Sequence, residues 1–141
     1  MIKLTEMVEK SVPLDIKFNN SEYKKIIMDK LPKSAFDKYS LDMLSVKILK
    51  STNFVRGYYV LGFHSFKNKN ITLYIGSIKD VYEVFKPKMS FNDALYYVFL
   101  HELGHYVDRQ NNIVTPFDEM IADEKAKKID RRYKKWWNNY D

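Results

Sequence analysis

The feature that most constrains this chain is a His-Glu-x-x-His motif at residues 101–105. It lies in a run whose apolar residues recur every three or four positions, the spacing of one face of an α-helix. One helical turn then separates His101 from His105, so both imidazoles project from the same face. Two such imidazoles can bind one zinc ion, and Glu102 between them can act as a base on water at the metal. The motif therefore predicts a metal-dependent hydrolytic site.

Capping signals predict that the motif lies late in a helix of about five turns. Ser90 followed by Asp93 is typical of a capping box at a helix start, and Asn111-Asn112 provides a stop. Gly104, inside the motif, costs about 1 kcal/mol relative to Ala in a helix. Its presence predicts that the helix approaches a neighbouring sheet closely.

Length and composition limit the remaining possibilities. A chain of 141 residues with 45% hydrophobic residues is expected to form a single folded domain over residues 1–141. It contains no Cys, so any metal ligands must be His, Asp or Glu. The first thirty residues do not resemble a signal peptide, and no run reaches the length of a membrane span, which predicts a cytoplasmic protein with no membrane partner.

The hydrophobic period changes along the chain, which predicts an α+β fold. One N-terminal helix is expected at 21–31. A second, short helix is expected to begin at a capping box formed by Ser34 and Asp37 and to run toward Leu44. Residues 77–86 are expected to form a short helix or a loop. Residues that alternate or are rich in β-branched and aromatic types predict strands near 46–48, 55–63 and 71–75, with a hairpin turn at 67–70. We therefore expect a small sheet of about three strands packed on the motif helix, with 71–75 as an edge along which a peptide could pair.

A catalytic zinc site usually has three protein ligands, so a third must be found. Thr115-Pro116 with Asp118 predicts the start of a C-terminal helix that carries Glu119. Glu119 lies on the same side as the apolar residues of that helix and is the best candidate. The alternatives, left open by the sequence, are Glu124, Asp118 and Asp108. Asp123, one turn after Glu119, is expected to accept the second ring N–H of a liganding His.

Three further residues are candidates for other roles at the site. His64 is expected to be an ordinary polar residue or part of the substrate cleft rather than a ligand. An oxyanion needs a stabilising group, for which His64, Tyr74 and Tyr133 are candidates. The sequence does not choose among them.

The C-terminal region is strongly basic, in a chain of net charge +6. An apolar stripe predicts that the glutamate-bearing helix continues to Tyr140. Seven cations would then share this helix: Lys125, Lys127, Lys128, Arg131, Arg132, Lys134 and Lys135. They could contact nucleic-acid phosphates, although a solvated helix face explains them better.

The motif His-Glu-Leu-Gly-His-Tyr-Val-Asp at 101–108, followed by Glu119-x-x-Ala122-Asp123-x-x-Ala126, resembles gluzincin-type zinc metallopeptidases. It is most similar to the short ImmA/IrrE-like group found in phages and mobile elements. The resemblance covers roughly residues 45–130 and includes Gly57-Tyr58-Tyr59 and Ile71-Thr72-Leu73. It implies a zincin-like fold, Zn²⁺ as cofactor and Glu119 as third ligand.

These observations together predict a zinc-dependent endopeptidase that hydrolyses a protein or peptide substrate, such as a regulator. His101, His105 and Glu119 are the predicted ligands, and Glu102 the predicted catalytic base. The alternative is a basic module with a zincin fold that binds nucleic acid or another partner and has little or no proteolytic activity. Metal removal separates the two, because only a peptidase would lose its turnover.

Overall fold

The computed structural model describes residues 16–110 and 115–138, and within these stretches the chain forms five helices and six strands. The helices are α1 (Ser21–Lys30), α2 (Ser34–Lys38), α3 (Ile75–Phe85), α4 (Phe91–Val107) and α5 (Pro116–Ile129). The strands are β1 (Lys17–Phe18), β2 (Ser45–Leu49), β3 (Phe54–Val55), β4 (Tyr58–Tyr59), β5 (Gly62–Ser65) and β6 (Asn70–Tyr74). The predicted α+β class is confirmed, with more strands than expected.

Four of these strands form one sheet in the order β1-β2-β6-β5. Strands β1, β2 and β6 run parallel, and β5 pairs with β6 in the antiparallel direction. The turn between β5 and β6 confirms the predicted hairpin. The predicted strand at 55–63 is broken instead, because Arg56 and Gly57, with φ of 53° and 85°, turn the chain between β3 and β4. These two strands form a separate hairpin.

The expectation that residues 71–75 form a sheet edge is wrong. Strand β6 lies between β2 and β5, since Val46 pairs with Ile71 and His64 pairs with Ile71 from the other side. The buried side chains of Ile71 and Leu73 agree with this central position. Strand β5 is an edge of the sheet, because among the described residues it pairs only with β6. This edge strand packs against the motif helix α4.

Helix α4 is the central helix of the core, and it packs against β5, β6 and α5. Its start is as predicted, because the Ser90 side chain accepts a hydrogen bond from the Asp93 N–H. The Asp93 carboxylate pairs with Lys30 Nζ at 2.6 Å, which ties α4 to α1. The helix ends at Val107, and the predicted Asn111-Asn112 stop lies outside the described residues.

Three other helix predictions have different outcomes. The Ser34 capping box is wrong: Lys33 is the N-cap residue of α2, and its side chain makes no capping bond. The predicted extension toward Leu44 is also wrong, because α2 ends at Lys38 and Tyr39 is extended. Of residues 77–86, predicted as helix or loop, 77–85 belong to α3, and Lys86 is its C-cap residue, with a left-handed φ of 44°. The predicted start of α5 is confirmed, since Thr115 and Asp118 form a reciprocal capping box with Pro116 at the first helical position.

Helix α5 is shorter than the apolar stripe predicted. It ends at Ile129, and Asp130 takes an extended conformation with its carboxylate accepting hydrogen bonds from Tyr96 Oη and the Arg132 guanidinium. Burial raises the pKa of the Asp130 carboxyl, but the hydrogen bonds from Arg132 and Tyr96 outweigh it and hold the pKa below its ordinary value. Tyr133 and Trp137 are buried as part of the apolar stripe, but they belong to the segment that follows the helix. Tyr140 lies outside the described residues.

The expectation that seven cations share one helix is therefore wrong. Only Lys125, Lys127 and Lys128 belong to α5, and the other four cations follow it. Arg132 is bound to Asp130 at 2.6 Å. The cations thus do not form a single helical face.

None of the helices in the described part of the chain is long and apolar enough to cross a membrane.

Candidate metal centre

The site depends on an unusually close contact between α4 and α5. A Cβ atom added to Gly104 would lie 2.2 Å from the carbonyl oxygen of Ala122, far inside van der Waals contact. Only glycine permits this approach, which brings the helix that carries Glu119 against the helix that carries His101 and His105. The expectation that Gly104 approaches the sheet is wrong; the close neighbour is α5.

Gly104→Ala is therefore expected to destabilise the protein by about 1–3 kcal/mol through overpacking, despite the better helix propensity of Ala. The forced separation of α4 and α5 should also weaken metal binding. Urea unfolding and zinc titration would measure the two effects. Ala at this position with unchanged stability and metal affinity would show that the helices do not depend on this contact.

Three ligand atoms converge between the two helices. His101 Nε2 lies 3.1 Å from His105 Nε2 and 2.8 Å from Glu119 Oε1. The other carboxylate oxygen, Glu119 Oε2, lies 3.3 Å from His105 Nε2, so the two imidazole nitrogens and the carboxylate group form a triangle of ligand groups. Ligand atoms at zinc–ligand distances of about 2.0–2.1 Å in a tetrahedral arrangement lie roughly 3.3 Å apart. The three ligand groups are thus close enough to coordinate one ion, with a further position left for water or substrate.

The second nitrogen of His101 has partners behind the triangle. Its Nδ1 lies 2.9 Å from Asp123 Oδ1, as the sequence predicts, and Tyr133 Oη donates to the same oxygen at 2.6 Å. Burial raises the pKa of the Asp123 carboxyl, but the hydrogen bonds from His101 and Tyr133 outweigh it and hold the pKa below its ordinary value. A charged Asp123 fixes the His101 proton on Nδ1 and leaves Nε2 as a metal ligand.

His105 has an equivalent partner that the sequence analysis missed. Its Nδ1 contacts Gln110 Oε1, and the Gln110 amide is oriented because Nε2 donates to Asp108 Oδ2 at 2.7 Å. Gln110 is positioned by the turn after α4, where its N–H donates to the His105 carbonyl at 3.0 Å. A Gln five residues after a ligand carries no recognised sequence signal, and only the turn geometry brings it to the ring.

The tautomers of His101 and His105 leave a site that is suited to binding a cation. Asp123 and Gln110 Oε1 both require a proton on the Nδ1 atom that they face, so the neutral imidazoles present unprotonated Nε2 atoms. Two nitrogen lone pairs and a carboxylate then point at one small volume, with His101 and His105 fully buried. Such a cluster repels itself unless a proton or a metal ion lies within it. Residues His101, His105 and Glu119 can therefore hold a metal ion.

Glu102 lies beside this triangle, on the side of α4 that faces β5. Its carboxylate is buried, and Oε1 lies 2.8 Å from Nδ1 of His64. The imidazole of His64 stacks on that of His105, with centroids 4.0 Å apart and planes within 9°. Gly62 provides the space, because a Cβ at this position would lie 2.8 Å from Glu102 Cγ.

The other candidates for third ligand lie apart from this cluster. Glu124 is exposed, and Asp118 accepts the Thr115 N–H at 2.9 Å in the helix cap. Asp108 binds the Gln110 amide. The structure thus brings together the predicted triad and leaves these three carboxylates outside it.

The three candidates for stabilising an oxyanion lie at different positions relative to the ligand atoms. Tyr133 Oη contacts Asp123 on the Nδ1 side of His101, which is away from the converging Nε2 atoms. Tyr74 is the half-buried last residue of the central strand β6. Of the predicted groups, only His64 adjoins both Glu102 and His105.

Comparison of the chain with protein-family models, with curated proteins and with solved structures found no match.

Proposed function

We propose that this protein is a zinc-dependent endopeptidase with a zincin-like arrangement of the gluzincin type. The observation that carries the proposal is the convergence of His101, His105 and Glu119 beside the buried carboxylate of Glu102. Two imidazoles and one carboxylate are the ligand set of one well-known class of catalytic zinc sites, which keep a fourth position open.

Each residue has a defined part in the proposed reaction. Zinc, when bound, supplies a Lewis acid that acidifies water and polarises a peptide carbonyl. Glu102 removes a proton from the attacking water and later delivers it to the leaving amine. Asp123 and Gln110 keep His101 and His105 in the tautomers that place Nε2 at the metal.

Zinc is the metal that this ligand set favours. Two imidazole nitrogens exclude the oxygen-only coordination preferred by Ca²⁺ and Mg²⁺. Imidazole ligands also suit copper, nickel and iron, so geometry and supply decide between these metals and zinc. Zinc is proposed among these metals because two His and one Glu are a ligand set of known catalytic zinc sites.

The edge of β5 supports an extended peptide as substrate. Tyr74 N–H donates to the Leu61 carbonyl at 2.9 Å, so by antiparallel alternation the backbone of Phe63 faces β6. The backbone groups of Gly62 and His64 consequently point away from the sheet. A substrate strand that pairs there would pass beside Glu102, which is how strand addition could place a peptide bond at the metal.

The alternative function, a basic module that binds nucleic acid, has less support. Its cations are divided between α5 and the following segment, and Arg132 is engaged by Asp130. A phosphate-binding surface needs cations that face one ligand together. Metal removal should abolish peptide hydrolysis, whereas a charge-driven binder would keep its affinity.

Zinc affinity is expected to fall as pH decreases. Burial lowers the pKa of the His105 imidazolium, but the carboxylates of Glu119 and Glu102 outweigh it and raise the pKa above its usual value. Protons therefore compete with zinc for this site at pH values below the raised pKa of His105, and zinc binding is strongest above it. Below it, we expect about a tenfold loss of affinity per pH unit for each displaced proton. Competition titrations with a chelator at several pH values would test this, and a flat profile across the acidic range would contradict it.

The proposed activity can be tested with synthetic peptides of random sequence as substrates. The zinc-loaded protein is expected to cleave a subset of them, detected as new termini by mass spectrometry. Glu102→Gln provides the matched control, because it retains the shape of the side chain and removes the base. Cleavage that persists equally in Glu102→Gln would have to come from a contaminating peptidase and would overturn the proposal.

A further inference from the structure

The predicted catalytic carboxylate has a buried partner that the proposed reaction leaves without a role. His64 projects from β5 and is only 5% exposed. Its Nδ1 lies 2.8 Å from Glu102 Oε1, and its ring stacks on His105. The histidine thus contacts both the predicted base and a predicted ligand, from an element outside the His-Glu-x-x-His helix.

We propose that His64 is a positioning residue that orients the Glu102 carboxylate for proton transfer, an inference that rests on the proposed peptidase function. Glu102 is only 2% exposed, and a buried carboxylate is costly unless a donor binds it. His64 supplies this donor from a strand that is held in register against β6, since His64 pairs with Ile71. A charge-assisted hydrogen bond of this kind is stronger than one between neutral groups and restricts the carboxylate's rotation.

Two further contacts restrict the pair. Gly62, two residues before His64, lies on the same side of β5 and leaves just enough space for the Glu102 side chain. Stacking against His105 restricts the His64 ring plane. The strand therefore holds the carboxylate from one side, while the motif helix fixes its backbone.

The proton balance of this arrangement is simple. With Glu102 ionised, His64 Nδ1–H donates to Oε1 and keeps its own proton throughout. The proton from the attacking water goes to a remaining lone pair of the Glu102 carboxylate and then to the leaving amine. His64 thus acts through Glu102 and does not transfer a proton itself.

A matched pair of variants separates the hydrogen bond from packing. His64→Phe keeps an aromatic ring against His105 but removes the donor, whereas His64→Asn places an amide donor near the position of Nδ1. With the random-sequence peptides as substrates, His64→Phe should lower kcat by about 10–100-fold, the scale of partners that orient site residues. KM and zinc affinity should stay close to those of the parent. His64→Asn should recover part of kcat. A parental kcat in His64→Phe with a loss confined to His64→Asn would assign the effect to packing and overturn the positioning role.

A double-mutant cycle with Glu102→Gln tests whether His64 acts through Glu102. If it does, adding His64→Phe to Glu102→Gln should cause little further loss of hydrolysis. Independent, multiplicative losses would overturn the positioning role.

A second measurement does not depend on activity. In the ¹⁵N-histidine-labelled, zinc-loaded protein, NMR should detect a protonated Nδ1 at His64 whose N–H resonance shifts in Glu102→Gln. A resonance that is absent from the parent spectrum or insensitive to Glu102→Gln would contradict the contact.

If the parent cleaves no peptide, the proposed function fails and the role of His64 fails with it. If the parent cleaves peptides and His64→Phe cleaves them equally, only the role of His64 is overturned.

Discussion

Glu102→Gln is expected to lower peptide hydrolysis by about 10²–10⁴-fold, the usual scale for loss of a general base. Glutamine has almost the same shape as glutamate, and its amide oxygen can still accept the Nδ1–H of His64. The variant lacks only the basic carboxylate. Its fold and zinc content should therefore equal those of the parent, as measured by urea unfolding and metal analysis.

Two results would contradict this assignment. Hydrolysis at the parental rate would show that no proton passes through Glu102. Loss of zinc would instead give Glu102 a part in the metal site, which the contact with His64 and the separate ligand triangle do not predict.

Glu119→Ala is expected to cause the largest loss of zinc affinity among carboxylate variants of α5. Glu119 oxygens lie 2.8 Å and 3.3 Å from the two Nε2 atoms, so truncation removes the only carboxylate from the ligand triangle. Two neutral imidazoles bind zinc much more weakly than three ligands that include an anion. Competition with a chelator should measure the loss directly.

Two other residues of α5 provide matched controls. Glu124→Ala removes an exposed acid from the same helix and should leave zinc affinity nearly unchanged. Asp123→Ala should have an intermediate effect of about 10–100-fold, because Asp123 only orients His101. Unchanged affinity in Glu119→Ala, or a large loss in Glu124→Ala, would show that the third ligand lies elsewhere.

Local signals predicted those features of the site that depend on helix geometry. The spacing of His101 and His105, the capping residue Ser90 and the box of Thr115 and Asp118 are each contained within a few residues. Helix phase also placed Glu119 and Asp123 on the side of α5 that faces α4. These predictions needed no knowledge of how the strands pair.

Features that depend on long-range pairing were missed. Strand β6 was predicted at the edge, because nothing local reveals that β2 pairs with it in parallel from more than twenty positions upstream. A different pairing, that of β5 with β6, together with the packing of β5 on α4, brings His64 against Glu102. The sequence of β5 contains a weak signal for this contact. Gly62 and His64 are two positions apart and so lie on the same face of the strand, in a segment rich in apolar residues.

The C-terminal error has a specific physical cause. The apolar spacing of Ile129, Tyr133 and Trp137 is equally compatible with a helix and with an irregular segment that buries the same side chains. Contacts of the Asp130 carboxylate with Tyr96 and Arg132 accompany the extended conformation that ends the helix. The periodicity thus predicted which residues are buried but not the backbone that carries them.

The most direct test of the account is peptide hydrolysis measured while zinc is added to the metal-free protein. We predict that hydrolysis of the random-sequence peptides is absent without metal, rises in proportion to added zinc and levels off at one zinc per chain. Hydrolysis that is absent at full zinc occupancy, or that is independent of zinc, would contradict the proposed peptidase.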